Sequence, residues 1–167
     1  PERNDVDLHA ILHPAKEVGG DLYDFYMDGN HLYFLIGDVS GKGVPASLFM
    51  AITRSLFRTL SQQVLSPAKI VTDMNNSISD NNESNMFVTL IVGILDLETG
   101  KLKLCNAGHN PPILIRPDGQ VSFLEFKTQI FVGVIEEFAY TEDETTLEKG
   151  SKLFLYTDGV TEAENTD

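Results

Sequence analysis

Basic residues are scarce in this 167-residue sequence. Its 12 lysine and arginine residues stand against 25 aspartate and glutamate residues, which gives a formal net charge of −13. Such a balance repels phosphate backbones and anionic lipids, so we expect neither nucleic-acid binding nor direct membrane contact. A metal ion is not repelled. A phosphorylated substrate would need its charge neutralised by something other than a basic patch.

Cysteine and long apolar runs are also rare. Cys105 is the only cysteine, which excludes an intrachain disulfide and favours a reducing compartment. Its apolar neighbours predict a buried thiol rather than a reactive one. The longest apolar run, Met86 to Leu95, is about half of the ~20 residues that a membrane helix needs. With no signal-peptide pattern at the start, we expect a cytoplasmic protein.

Strand patterns separated by short turns dominate the chain. The turns Asp28-Gly29-Asn30, Glu98-Thr99-Gly100 and Asp118-Gly119 each join two predicted strands. Turns this short link antiparallel neighbours, so the sheets should be mainly antiparallel. A further strand is predicted over Val6–His13, and the alternating run Lys101–Ala107 predicts an edge or half-exposed strand.

Two of the strands and two helices indicate how the layers stack. Leu32–Ile36 and Phe87–Leu95 are apolar on both faces, which predicts two stacked sheets with helices outside, an α+β fold. The first helix should run from Pro45 to about Val64, and the second from the N-cap Ser66 to about Ser79. We expect these side chains to form the buried stripe of the first helix: Leu48, Phe49, Ile52, Leu56, Leu60 and Val64.

The stretch FLIGDVSGKGVPASL, residues 34–48, could be a phosphate-binding loop, a metal-binding strand end or a plain turn. A P-loop needs four residues between its first glycine and the Gly-Lys pair, followed by Ser or Thr. Here three residues separate Gly37 from Gly41, and Gly43 follows Lys42. The spacing excludes the P-loop and with it the nucleotide-binding alternative.

Four aspartates lie in or at the end of apolar strands. Asp21 and Asp24 belong to GGDLYDF, Asp38 to LIGDVSG and Asp158 to LFLYTDGV. A carboxylate among apolar neighbours is unfavourable unless it is paired or metal-bound, and few basic residues flank these motifs. One such aspartate alone would suggest a turn or strand cap. Four together favour a site for Mg²⁺ or Mn²⁺, which prefer oxygen ligands.

Five motifs in order resemble the PPM-type metal-dependent Ser/Thr phosphatases, in the bacterial branch with stage II sporulation protein E and the sigma-factor-B regulation phosphatases. They are EVGGDLYDFY, LIGDVSGKGVPASLFMA, MFVTLIVGILDLETGKL, NAGHNPP and LFLYTDGVTEA, from about Glu17 to Ala163. The resemblance implies a four-layer α-β-β-α sandwich. It also implies that residues 1–167 form one catalytic domain lacking its C-terminal helix and strand.

Motif positions imply the site residues. By resemblance, Asp38 and Asp158 are catalytic, and two Mn²⁺ or Mg²⁺ ions are held by Asp21, Asp38, Asp158 and the backbone carbonyl of Val39. These ions would activate a water for in-line attack on phosphoserine or phosphothreonine. Asp24 is expected to act through water or through a hydrogen bond to a metal ligand, and Lys42 to approach the substrate phosphate.

The sequence departs from the family at two positions that matter. Ser40 stands where eukaryotic members have a histidine acid, so water is expected to protonate the leaving group. The last aspartate ligand of the family has no counterpart here, which favours the alternative of a catalytically weak interaction module. His109 in NAGHNPP is expected to be structural rather than catalytic.

The resemblance also implies a partner. We expect the substrate to be a phosphorylated regulatory protein of the anti-anti-sigma type. The resemblance leaves room for an upstream sensor domain and a homodimer.

Overall fold

The computed structural model describes residues 5–12, 19–80, 82 and 85–161, and two antiparallel sheets account for most of its regular structure. The larger sheet has the strand order β1-β2-β3-β4-β7, and the smaller one β6-β5-β8. Their strands are β1 (Asp21–Asp28), β2 (His31–Val39), β3 (Val88–Asp96), β4 (Lys101–Ala107), β5 (Ile113–Ile115), β6 (Val121–Phe123), β7 (Asp143–Thr146) and β8 (Lys152–Phe154).

All three predicted hairpins are present. The β1–β2 pair closes at Asp28 opposite His31, and the other turns join β3 to β4 and β5 to β6. The strand predicted over Val6–His13 is wrong for its described part, because residues 5–12 form no strand; His13 lies outside the described residues. The edge prediction for β4 is also wrong, since β4 pairs with β3 on one side and β7 on the other.

Two helices cover the outer face of the larger sheet. Helix α1 (Val44–Ser61) and helix α2 (Pro67–Ser79) pack on it through one apolar core, and the two sheets enclose a second core between them. The α+β prediction is therefore confirmed, with two stacked antiparallel sheets as expected. Within the described ranges, the helical layer covers this one face of the stack.

Helix α2 matches its prediction closely. The Ser66 hydroxyl accepts a hydrogen bond from the Lys69 backbone N–H at 3.2 Å, as an N-cap should. Glu142 adds a second acceptor at this helix start, because its carboxylate takes hydrogen bonds from the Ser66 hydroxyl and the Ala68 N–H. The carboxylate also suits the positive end of the helix dipole.

Helix α1 is rotated relative to the predicted stripe: Phe49, Leu56, Leu60 and Val64 pack against the core as partly buried residues, but Leu48 and Ile52 do not. Its buried residues are Ala46, Thr53, Phe57 and Ser61, whereas Leu48 and Ile52 are exposed by 61% and 54%. Small side chains let the helix approach the sheet closely, and the buried hydroxyls of Thr53 and Ser61 are satisfied by carbonyls one turn back. No helix in the described part of the chain is long and apolar enough to cross a membrane.

Candidate metal centre

Three of the four predicted aspartates meet at one end of the space between the two sheets. Asp21 begins β1 and lies directly opposite Asp38 in the β1–β2 register. Asp158 begins the short 3-10 helix (Asp158–Val160) that follows β8 of the second sheet. One carboxylate oxygen from each of the three lies within 4.8 Å of the others. The fold thus brings together ligands from segments that are far apart in sequence.

Strand alternation explains which face these carboxylates occupy. Phe34 and Ile36 of β2 pack into the core between the sheets. Asp38 is an even number of residues from both and therefore lies on the same face, and Asp21 is its cross-strand partner. The two carboxylates consequently lie on the intersheet side, where Asp158 arrives from the second sheet.

Asp24 does not join the cluster, which corrects the expectation of four converging aspartates. Asp24 is three residues beyond Asp21, so its side chain lies on the opposite face of β1 and faces helix α1. There it is only 4% exposed and forms ion pairs with Arg58 and Arg54. The guanidinium groups hold the pKa of Asp24 below its usual value despite the opposing effect of burial. Its counter-cations come from a helix about thirty residues away, so local sequence does not reveal them.

The electrostatics of the three-aspartate cluster differ from those of Asp24. Burial raises the pKa of Asp21, a hydrogen bond from Thr157 lowers it, and the negative charge of Asp158 raises it again. The Oδ1 atom of Asp21 is buried and has no hydrogen-bond partner among the described residues. An unpartnered buried carboxylate oxygen beside two further carboxylates fits a hard divalent cation with oxygen ligands.

Gly20 allows one backbone oxygen and one side-chain oxygen to lie close to it at this site. The Val39 N–H donates to the Gly20 carbonyl at 3.2 Å, which extends the pairing beyond Asp21. A Cβ atom on Gly20 would lie 2.6 Å from the Val39 carbonyl oxygen and 3.0 Å from Asp38 Oδ1. The glycine is therefore required by close approach, and the Val39 carbonyl lies on the same side of Gly20 as the Asp38 carboxylate.

His109 connects two segments that carry the aspartates. Its Nε2 lies 3.1 Å from the Tyr156 carbonyl, two residues before Asp158, and its Nδ1 lies 2.9 Å from the hydroxyl of Thr89, which stands opposite Asp38. Because a carbonyl only accepts, Nε2 carries the proton and Nδ1 accepts from Thr89. Burial lowers the pKa of His109 to about 4, so the ring is neutral. These contacts support the expected structural role.

The loop after Asp38 contains the two remaining residues singled out from the sequence. The Ser40 N–H donates to the Phe87 carbonyl and the Ser40 hydroxyl accepts from the Phe87 N–H, so Ser40 continues the strand pairing. Lys42 is exposed between Gly41 and Gly43, and it forms no ion pair with any residue that the structure describes. Its approach to substrate remains a prediction.

Sequence reasoning missed the supporting residues rather than the aspartates. Thr157, Thr89 and the arginine pair of α1 were not identified in advance. Thr157 had a signal, because it directly precedes Asp158 in the TDG motif. The other contacts depend on strand register and helix rotation, which no local pattern specifies.

Known proteins are similar to this chain in sequence and in fold. The family described as Stage II sporulation protein E (SpoIIE) matches residues 28–167. The sequence is 30% identical over 163 residues to phosphoserine phosphatase RsbU of Bacillus subtilis (strain 168), which covers 97% of this chain and 48% of that protein. The chain thus spans about half the length of this relative.

Two solved structures illustrate the shared fold. The RsbU and RsbW domains of a Mycobacterium tuberculosis protein give a TM-score of 0.80 at 27% identity, covering 90% of this chain and 42% of that one. RsbX in complex with magnesium gives a TM-score of 0.72 at 21% identity, covering 92% of this chain and 71% of that one. Since the family match spans most of the sequence, the chain belongs to the Stage II sporulation protein E family, as its motifs predicted.

Proposed function

We propose that this chain is a metal-dependent phosphoprotein phosphatase domain that hydrolyses phosphoserine or phosphothreonine on a regulatory protein. The observation that carries the proposal is the cluster of Asp21, Asp38 and Asp158, with the buried, unpartnered Oδ1 of Asp21. Relatives named phosphoserine phosphatases support the reaction class. The magnesium complex of RsbX supports a divalent cation.

The proposal gives separate roles to the metal ligands and to Ser40. Asp21, Asp38, Asp158 and the Val39 carbonyl would hold two Mn²⁺ or Mg²⁺ ions. When bound, such ions supply Lewis acidity that activates a water and neutralises the phosphate. This accounts for how a protein with a net charge of −13 could accept a phosphorylated substrate. The Ser40 hydroxyl is a poor acid, so leaving-group protonation would fall to water.

The surrounding residues would hold these ligands in place. Gly20 keeps the space beside Asp38 and the Val39 carbonyl clear. His109 ties the segment before Asp158 to Thr89, opposite Asp38. Lys42, on the exposed loop, would approach the substrate phosphate. A regulatory phosphoprotein of the anti-anti-sigma type is the partner that best fits the relatives in sigma-factor control.

The test is hydrolysis of a phosphoserine peptide and of p-nitrophenyl phosphate, with Mn²⁺ and with a chelator. We expect turnover only with metal, and we expect Asp38→Asn to reduce it about a thousandfold or more. The matched control is Asp28→Asn, which removes an exposed carboxylate at the other end of β1 and should leave turnover unchanged. Calorimetric titration with Mn²⁺ would show whether Asp38→Asn also loses the ion.

Turnover that survives chelation, or that Asp38→Asn leaves intact, would rule the proposal out. Retained Mn²⁺ binding without turnover by the unsubstituted chain would instead favour a catalytically weak interaction module.

A further inference from the structure

An apolar cleft of about 330 Å³ opens on the same side of the larger sheet as the aspartate cluster. It is lined by Asn85, Phe87, Phe131, Gly133 and Val134. The rings of Phe87 and Phe131 stack with their centroids 5.1 Å apart. No charged side chain of the described residues lines it.

Strand register places this cleft next to the site. Ser40 and Phe87 continue the β2–β3 pairing, two residues beyond Asp38 and Thr89. Residues two apart on a strand share a face and are separated by about 7 Å. Phe87 therefore projects from the face that carries Asp38, one strand repeat away. An extended peptide with its phosphoserine at the aspartates would reach the cleft with a residue within three positions.

The second wall of the cleft is held rigidly. Val132 exchanges two backbone hydrogen bonds of 3.0 Å with Val88, and the buried amide of Asn75 binds the Gly133 N–H and the Ile135 carbonyl. The ring of Phe131 lies against Gly108, where any Cβ atom would collide with it. A buried polar side chain thus fixes a segment whose own side chains remain exposed, including Val134 at 49%. Apolar groups fixed in this way are pre-organised for binding.

The charge of the chain disfavours an acidic occupant, and the uncharged lining of the cleft offers a basic occupant no ion pair. The chain carries a net charge of −13, so general electrostatic attraction cannot recruit a phosphorylated partner. The contact that the cleft itself offers is apolar burial against two aromatic rings and a valine.

We propose that this cleft binds an apolar side chain of the substrate within three residues of the phosphorylated one, and so contributes to substrate selection. The inference rests on the proposed phosphatase function and names a preference within it. It assigns Phe87, Phe131 and Val134 as specificity-determining residues.

The experiment compares phosphoserine peptides that differ at one position, with leucine or phenylalanine against glutamine, scanned over the three positions on each side. We expect kcat/KM to be about tenfold higher for the apolar residue at one of these positions, the low end for an apolar pocket. Val134→Glu should reduce that ratio to about one and favour a lysine-containing peptide. Turnover of p-nitrophenyl phosphate, which has no flanking residue, is measured on the same protein as the reference for the aspartate site alone.

Val121→Glu is the matched control, because Val121 is another exposed valine, at 65%, on the smaller sheet. It should leave the peptide preference as it is. Equal kcat/KM for apolar and glutamine peptides would overturn the cleft assignment, and so would a preference that survives Val134→Glu. In either case, metal-dependent turnover of p-nitrophenyl phosphate would still support the phosphatase function. Absence of turnover with every substrate overturns the function, and this inference with it.

Discussion

Two aspartates on strand β1 differ in their surroundings although they are only three residues apart. Asp24 faces helix α1, where Arg54 and Arg58 balance its charge and Arg58 also lies over the ring of Tyr26. Asp21 faces the second sheet, where its nearest charged neighbours are further carboxylates. One side of the strand carries a completed ion-pair network, and the other side carries Asp21 beside two further carboxylates.

This difference separates structural carboxylates from ligand carboxylates. A buried carboxylate that already has its cations contributes to the packing of α1 on the sheet and has no need of a ligand. A carboxylate held beside others of the same charge is under repulsion until a cation arrives. The two sides should therefore respond with opposite signs when their charges are removed.

Removing the cations on the helix side should have a large effect on stability. We expect Arg54→Gln with Arg58→Gln to lower the free energy of unfolding by about 4 kcal/mol, because a carboxylate that is 4% exposed loses both partners. Urea unfolding monitored by circular dichroism measures this.

Adding Asp24→Asn to that double variant should recover much of the loss, since no buried charge remains. The surface pair Lys69–Asp73 serves as the control, where Asp73→Asn should change stability by less than about 0.5 kcal/mol. A double variant as stable as the parent would show that Asp24 does not need its arginines.

On the aspartate side, the neutral ring of His109 should make stability depend on pH. Its pKa is about 4 in the folded chain and 6.5 ordinarily, so between these values the unfolded chain binds a proton that the folded chain does not. Stability is therefore present above pH 6.5 and is lost as the pH falls towards 4. With a chelator present, this group alone should lower the free energy of unfolding by about 2 kcal/mol between pH 7 and pH 5.

His109→Gln isolates this contribution, because an amide can donate to the Tyr156 carbonyl and accept from Thr89 without titrating. The variant should lose about 2 kcal/mol less than the parent over the same pH range. Parallel pH profiles for the two proteins would contradict the buried neutral histidine.

Neutralising the ligand side should stabilise the metal-free chain. Asp21→Asn removes a negative charge whose Oδ1 atom is buried without a partner, and provides an amide that can donate to the neighbouring carboxylates. We expect the free energy of unfolding in chelator to rise by about 1 kcal/mol. Under the proposed function, Mn²⁺ should raise the melting temperature of the parent but not of the variant.

Thermal unfolding of both proteins in chelator and in Mn²⁺ measures the two effects. If Asp21→Asn destabilised the metal-free chain, the contrast between the two faces of β1 would be lost.

The sequence was a good guide to the hairpins and to helix α2 because these depend on local signals. Turn residues fix short connections, and Ser66-Pro67 marks a helix start without reference to the rest of the fold. The aspartates Asp21, Asp38 and Asp158 were likewise visible at strand ends in recognisable motifs. Their convergence follows from register, which the antiparallel turns constrain.

The errors arose where tertiary contacts decide. Asp24 has the same local signature as Asp21, and only its position on the other face of β1 gives it arginine partners. The alternating run of β4 predicted an edge, yet the acidic segment Asp143–Thr146 pairs beside it as β7. Hydrophobicity alone also placed Leu48 and Ile52 of α1 in the buried stripe, whereas both are exposed.

The rotation of α1 gives the smallest expected effect and tests the helix side directly. Leu48 and Ile52 belong to the predicted stripe but face outwards, so Leu48→Gln and Ile52→Gln should each change the free energy of unfolding by less than about 0.5 kcal/mol. Phe57→Ala, on the buried face, should lower it by about 3–5 kcal/mol. Urea unfolding of the three variants compares them. A loss above about 2 kcal/mol for either residue would mean that its side chain is packed against the fold rather than exposed, and the observed rotation of α1 would be wrong.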